Sequence, residues 1–141
     1  MANVIKLRKG LDINLIGCAQ EQLLPVKPSK EYALVPDDFT GLTPKVVVRE
    51  GDHVRAGDPL FVDKGCPEVS FASPVSGSVT SVERGERRKV LRVKVVADEQ
   101  QEFVDFGIKD LAGLSADEVK DCLLKAGLFG FINQLPYAVS T

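Results

Sequence analysis

Gly51-Asp52-His53-Val54-Arg55-Ala56-Gly57-Asp58-Pro59-Leu60 places two Gly-Asp pairs six residues apart, with Val54 and Leu60 as apolar anchors. Glycine adopts the positive φ that tight turns require, and an Asp beside it bonds back to its own backbone. Two turns this close leave room only for very short strands. The stretch therefore predicts a small β unit with glycine corners.

Outward from it, the same character continues. Val46-Val47-Val48 is β-branched and predicts a strand leading in, and Leu60-Phe61-Val62 a strand leading out. Asp63-Lys64-Gly65 reads as a turn, and Val69-Ser70-Phe71 begins the return. Beyond Ser73-Pro74-Val75-Ser76-Gly77-Ser78-Val79, residues 90–96 alternate. Leu91, Val93 and Val95 fall on one face and Arg92 and Lys94 on the other, the period of a half-buried strand. Residues 46–96 thus predict a small sandwich or barrel.

The flanks differ. Residues 1–45 are punctuated by Gly and Pro, which favours short strands such as Val4–Arg8 and Tyr32–Val35 over a long helix. After the barrel, Asp98, Glu99, Glu102 and Asp105 make an acidic, loop-like stretch. Ser115-Ala116-Asp117-Glu118 has the S-x-x-E form of a capping box. Val119, Cys122, Leu123 and Ala126 then share one helical face, and Gly127 stands where a helix would end. This predicts a helix over 116–126. Residues 128–137 are apolar, which predicts either a tail packed on the core or a chain that continues past Thr141. The organisation expected is a barrel module over 1–97 with an N-terminal arm, followed by an acidic linker, the helix and the start of a further domain over 98–141.

Composition narrows the function classes. The chain has 141 residues, 44% hydrophobic and 27% charged, with a formal net charge of -2. That balance gives no general attraction to nucleic acid and is unlike that of disordered chains. No run approaches the roughly 20 apolar residues of a membrane span, so membrane association is expected through a partner. The basic residues Lys6, Arg8 and Lys9 precede no apolar run, which predicts a cytosolic location. Cys18, Cys66 and Cys122 are widely spaced and His53 is the single histidine, a pattern that predicts free thiols rather than a zinc site.

The stretches 48–60 and 72–79 resemble the two half-motifs of biotinyl/lipoyl domains. That resemblance implies a barrel-sandwich hybrid, mainly β, here followed by a C-terminal helix. It also raises the carrier reading, in which a lysine at a hairpin tip bears the prosthetic group. Lys64 is the single lysine between Leu60 and Pro74. It comes too early after Leu60 and too far before Pro74 for that pattern, and Cys66-Pro67 stiffens the hairpin beside it.

A longer resemblance runs from residue 9 to the chain end. Lys9-Gly10-Leu11-Asp12, Tyr32-Ala33-Leu34, Val48–Asp52, Leu60–Lys64, Phe71–Val79 and Arg84–Leu91, in this order, resemble the family of A subunits of the Na+-translocating NADH:quinone reductase. The helix with Ala126-Gly127-Leu128-Phe129 fits as well, although the family more often has Trp where Phe129 stands. The resemblance implies a peripheral subunit on the cytoplasmic side of the bacterial inner membrane. Its complex passes electrons from NADH to quinone and exports Na+. Quinone, NADH and flavins would belong to the whole complex, with no cofactor bound by this segment. Two alternatives remain: the related C subunits of ferredoxin:NAD oxidoreductase-type electron-transfer complexes, and a swinging-arm carrier.

No residue is expected to be catalytic or to bind a metal. The chain lacks a G-x-G-x-x-G or P-loop motif. His53 and the pair Asp37-Asp38 are expected in exposed turns and loops. Arg84, Arg87, Arg88, Lys89, Arg92 and Lys94 form a basic cluster without the interleaved aromatics that nucleic-acid stacking uses. Arg92 and Lys94 read as the wet face of a strand. Arg84, Arg87, Arg88 and Lys89 read first as solvated decoration of its turn; the alternative is a contact with a partner protein of the complex or an anionic headgroup surface.

Overall fold

Both Gly-Asp pairs form turns, and the two are built alike in this computed structural model, which describes residues 16–18, 20–107 and 110–137. In the first, the Arg49 N–H donates to Asp52 Oδ2 at 2.7 Å and the Asp52 N–H to the Arg49 carbonyl at 3.1 Å. In the second, the Arg55 N–H donates to Asp58 Oδ2 at 2.8 Å and the Asp58 N–H to the Arg55 carbonyl at 3.0 Å. Gly51 and Gly57 take φ of +91° and +104°, which an L side chain strongly resists.

Each turn is then gripped from outside in the same way. The Gly51 N–H donates to the Val79 carbonyl at 2.8 Å, and the Val79 N–H to the Asp52 carbonyl at 2.9 Å. The second turn repeats this with Ser73, at 2.9 and 2.8 Å. One antiparallel register therefore runs through both: His53 faces Ser78, Val54 faces Gly77, and Pro59 faces Ala72.

Seven strands follow: β1 (Glu31–Leu34), β2 (Pro44–Val46), β3 (His53–Val54), β4 (Pro59–Asp63), β5 (Ser70–Ala72), β6 (Gly77–Arg84) and β7 (Val90–Ala97). They form two antiparallel sheets in the orders β1-β7-β6-β3 and β2-β4-β5. The shared register passes from the first sheet, where β3 pairs with β6, to the second, where β4 pairs with β5. Val54, Leu60, Phe61, Val69, Phe71, Val79, Val90, Val93 and Val95 make the core. Full burial of such side chains is worth about 1.5–3 kcal/mol each, whereas exposed ion pairs contribute roughly 0–1 kcal/mol. The core holds the sheets together.

Three bulges account for the departures from simple alternation. On β4, Leu60 is the extra residue between the pairs Pro59–Ala72 and Phe61–Phe71, so Leu60 and Phe61 both turn inward. Thr80 is extra on β6 and Leu91 on β7. The alternation that put Leu91 inward with Val93 and Val95 is thereby corrected: Val90 takes the buried place and Leu91 is 37% exposed. Bulges bend and twist strands, which here helps wrap the sheet around the core. The strand expected at Val46–Val48 ends at Val46, although the Val47 N–H still donates to the Leu60 carbonyl at 3.1 Å. The strand expected at Val4–Arg8 and the segment Lys9–Asp12 lie outside the described residues.

The acidic stretch is sewn to the barrel. The Gln101 amide accepts from the Ser76 N–H at 2.8 Å and donates to the carbonyls of Ser76 and Asp98. The Glu102 N–H donates to the buried Ser76 Oγ at 2.8 Å. Ala56 bridges Phe103 in parallel, its N–H donating to the Glu102 carbonyl.

Helix α1 (Ala116–Lys125) is closed by the expected box, with Ser115 Oγ accepting from the Glu118 N–H and the Glu118 carboxylate accepting from the Ser115 N–H. Leu124 and Phe129 reach the core cluster. Gly130 lies against Phe71: a Cβ there would sit 2.5 Å from Cε1 of the ring. The stripe Val119, Cys122, Leu123 and Ala126 is half-buried and lines an open apolar groove with Phe106, Leu114 and Leu128. No described helix is long and apolar enough to cross a membrane.

Candidate functional site

The tip of the β4–β5 hairpin is tied to the body of the molecule. The Lys64 N–H donates to the Thr43 carbonyl at 2.8 Å, and Asp63 Oδ1 accepts from the N–H groups of Thr43 and Gly65 at 3.3 and 3.2 Å. The outermost turn is Cys66-Pro67-Glu68-Val69, closed by the Val69 N–H donating to the Cys66 carbonyl at 2.9 Å. Lys64 is exposed and stands on the flank of the hairpin, before its apex.

Beside the hairpin lies a cleft of about 160 Å³, floored by Phe39, Phe71 and Phe129 with Lys120 at its rim. Phe39 packs 4.4 Å from Phe71 and edge-on to Phe131, while Phe61 stacks on Phe71 at 5.1 Å. The Lys120 ammonium sits 5.9 Å from the centre of the Phe129 ring. This cluster joins residues from four separate segments, and no local sequence pattern announces it.

The basic cluster divides into paired and unpaired members. Glu83 takes both Arg92 and Lys94, each at 2.8 Å, across the β6–β7 ribbon. The hydrogen bond from Lys94, with the charge of Arg92, holds the Glu83 carboxyl below its ordinary range, and the same contact raises Lys94. Lys89 pairs with Asp37 at 2.7 Å. Asp37 is the middle residue of the 3-10 turn Pro36–Asp38 and is exposed, as expected, yet it has a partner 52 residues away. Arg84 Nη1 donates to the Arg88 carbonyl at 3.4 Å. The guanidinium groups of Arg87 and Arg88 have no hydrogen bond or ion pair among the described residues.

His53 lies in β3 rather than in a loop, half-exposed, with Nε2 2.8 Å from Asp98 Oδ2. No cysteine or serine forms a hydrogen bond to it among the described residues. Asp58 is held below the usual carboxylate range by its hydrogen bonds from the Arg55 side chain, which outweigh its partial desolvation. These bonds close the second Gly-Asp turn. Cys18 and Cys66 are exposed, Cys122 is half-buried, and the three are unpaired. Among the described residues no group of His, Cys, Asp and Glu converges to hold a metal ion.

Comparison with known proteins adds to this geometry. Residues 5–98 match the family model of the NqrA N-terminal barrel-sandwich hybrid domain. The chain is 37% identical over 138 residues to the A subunit of the Na(+)-translocating NADH-quinone reductase of Pseudomonas aeruginosa (strain UCBPP-PA14). It is 37% identical over 140 residues to that of Serratia proteamaculans (strain 568), and 38% over 138 residues to that of Klebsiella pneumoniae (strain 342). In each case 96% of this chain is covered, and the chain spans 31% of the length of the relative.

Proposed function

The chain belongs to the family of NqrA N-terminal barrel-sandwich hybrid domains, and from that membership we propose that it is the N-terminal portion of the A subunit of a Na+-translocating NADH:quinone reductase. In this reading the whole complex couples NADH oxidation and quinone reduction to Na+ export. The present segment is a rigid docking module, peripheral on the cytoplasmic side of the membrane and held there by membrane-embedded subunits. It performs no chemistry by itself and binds none of the cofactors of the complex.

The observation that carries the reading is the extent of the similarity. It covers 96% of the chain, and so includes the helix and its glycine exit as well as the barrel. The docking role is supported by what the hairpin tip does. Where a carrier would project a lysine, Thr43 and Asp63 tie the chain down, and Lys64 stands to one side. The exposed apolar residues Leu128, Phe131, Ile132, Leu135 and Tyr137 form a surface suited to a permanent neighbour.

Three measurements test it. The purified chain is expected to bind a family complex stripped of its own A subunit, and to show no NADH oxidation or quinone reduction alone. Turnover by the isolated chain, or no association with the stripped complex, overturns the proposal. An intact mass from a bacterial host equal to that of the bare sequence is expected, and an added lipoyl or biotinyl mass on Lys64 would restore the carrier reading.

A further inference from the structure

We propose that the turn between β6 and β7 is a preformed prong whose two free arginines, Arg87 and Arg88, clamp carboxylates on the surface of a protein partner. The proposal rests on the docking role given above and says which surface carries it and what chemistry it meets.

The first ground is what remains after neutralisation. Of the six basic residues between 84 and 94, Arg92 and Lys94 are absorbed by Glu83, and Lys89 by Asp37. Arg84 is turned back onto the Arg88 carbonyl. Arg87 and Arg88 stand exposed at the tip with their forks unused among the described residues.

The second ground is conformational and independent of charge. Arg87 and Arg88 have φ of +54° and +61°, and they are the only non-glycine residues at positive φ among the described residues. Each such placement is unfavourable for an L-residue, whose Cβ crowds the neighbouring carbonyl oxygen. The turn does contain a glycine, but Gly85 sits at an ordinary φ of −95°, where a Cβ would crowd Leu91 at 3.2 Å. Conformational economy would put glycine or asparagine at 87 and 88. The chain puts arginine at both, which marks the side chains as what the turn exists to present.

The third ground is rigidity. The Gly85 N–H donates to the Lys89 carbonyl at 2.8 Å, the Lys89 N–H donates to the Glu86 carbonyl at 3.0 Å, and the Lys89–Asp37 pair anchors the base of the turn. A prong held in this way loses little conformational freedom on binding.

Guanidinium forks match carboxylate and phosphate oxygens two at a time. A lipid surface is the poorer fit. Two or three cations near an anionic leaflet are too few for firm attachment, Glu86 sits within the tip, and the tip offers no apolar side chain to enter the bilayer. Carboxylates on a folded protein are fixed and can engage both forks. The ribbon also ends in opposite charge: Asp98, Glu99, Glu102 and Asp105 follow β7 at its far end. An acidic partner surface would attract one end and repel the other, which sets orientation.

The test uses the double variant Arg87→Gly with Arg88→Gly, which keeps the backbone geometry and removes both forks. Its midpoint of unfolding should equal or exceed that of the unaltered chain, so a loss of binding cannot be assigned to misfolding. Binding to a family complex stripped of its A subunit is expected to weaken by about tenfold or more, with a shallower salt dependence. The charge-preserving pair Arg87→Lys with Arg88→Lys should fall between. Equal binding by the glycine variant overturns the prong and leaves the docking role standing. No binding by the unaltered chain overturns both. Saturable binding to phosphatidylserine vesicles, absent on phosphatidylcholine vesicles and equal for the lysine variant, overturns the assignment to a protein surface.

Discussion

Gly77→Ala is expected to be the most damaging single-methyl change in the barrel. Gly77 faces Val54 of β3 on one side and Ala97 of β7 on the other. An added Cβ would lie 1.9 Å from the Val96 carbonyl oxygen, 2.8 Å from its carbon and 3.1 Å from the Ala97 Cα. All three are backbone atoms, so no side chain can swing aside. Ordinary contact between non-bonded heavy atoms begins near 3.5 Å, so β7 would have to retreat by more than about 1 Å. That separation disrupts the ladder at the Gly77–Ala97 and Ser78–Val96 pairs, at about 1 kcal/mol for each hydrogen bond lost. Overpacking adds about 1–3 kcal/mol. The expected loss is therefore about 3–5 kcal/mol, a large part of the 5–15 kcal/mol typical of a domain. Urea unfolding followed by far-ultraviolet circular dichroism suits a chain without tryptophan. Gly113→Ala is the matched control: a Cβ there meets nothing within 4 Å, and its effect should stay within about 0.5 kcal/mol. A Gly77→Ala loss below about 1 kcal/mol, at unchanged denaturant slope, would refute the reasoning.

Two further outcomes follow from the hydrogen bonds. Gln101→Ala strips the amide from the buried corner at Ser76 and should cost about 1–3 kcal/mol; a change under about 0.5 kcal/mol would mean that water replaces the amide freely. Acid should weaken the fold through Asp58 and Glu83, whose carboxyls are held below their ordinary values by Arg55 and by Lys94 respectively. Their stabilisation is complete above the unfolded-chain values near pH 4 and is lost as pH falls through the lower folded ones. Asp58→Asn should flatten the fall in stability below about pH 4, and an unchanged acid limb would remove Asp58 from the account.

What could be read beforehand was local. The two Gly-Asp turns and the capping box of α1 are short patterns whose hydrogen bonds close within three residues, and both form where the sequence puts them. Leu91 was misplaced because a bulge depends on the partner strand, and alternation along one strand carries no trace of it. The strand at Val46 was shifted for a similar reason, since β4 decides where pairing stops. At the arginine turn the residues were visible, but their division into used and unused was not. Lys89 finds Asp37 and Glu83 gathers two cations only after the sheet has closed. The phenylalanine cluster was illegible for the same reason: Phe39, Phe71, Phe129 and Phe131 have no common period. Cys122 and its stripe were read correctly as one helical face, yet that face borders an open groove while Leu124 reaches inward.

The common register of 51–54 with 77–79 and of 57–59 with 72–73 ties the two sheets into a single gauge. Sliding either sheet strips the bonds by which Val79 grips the first turn or Ser73 the second. The spacing between features borne on different sheets is therefore a constant of the molecule. A neighbour that seizes one of them receives the other at a set distance and angle, as a key presents its teeth.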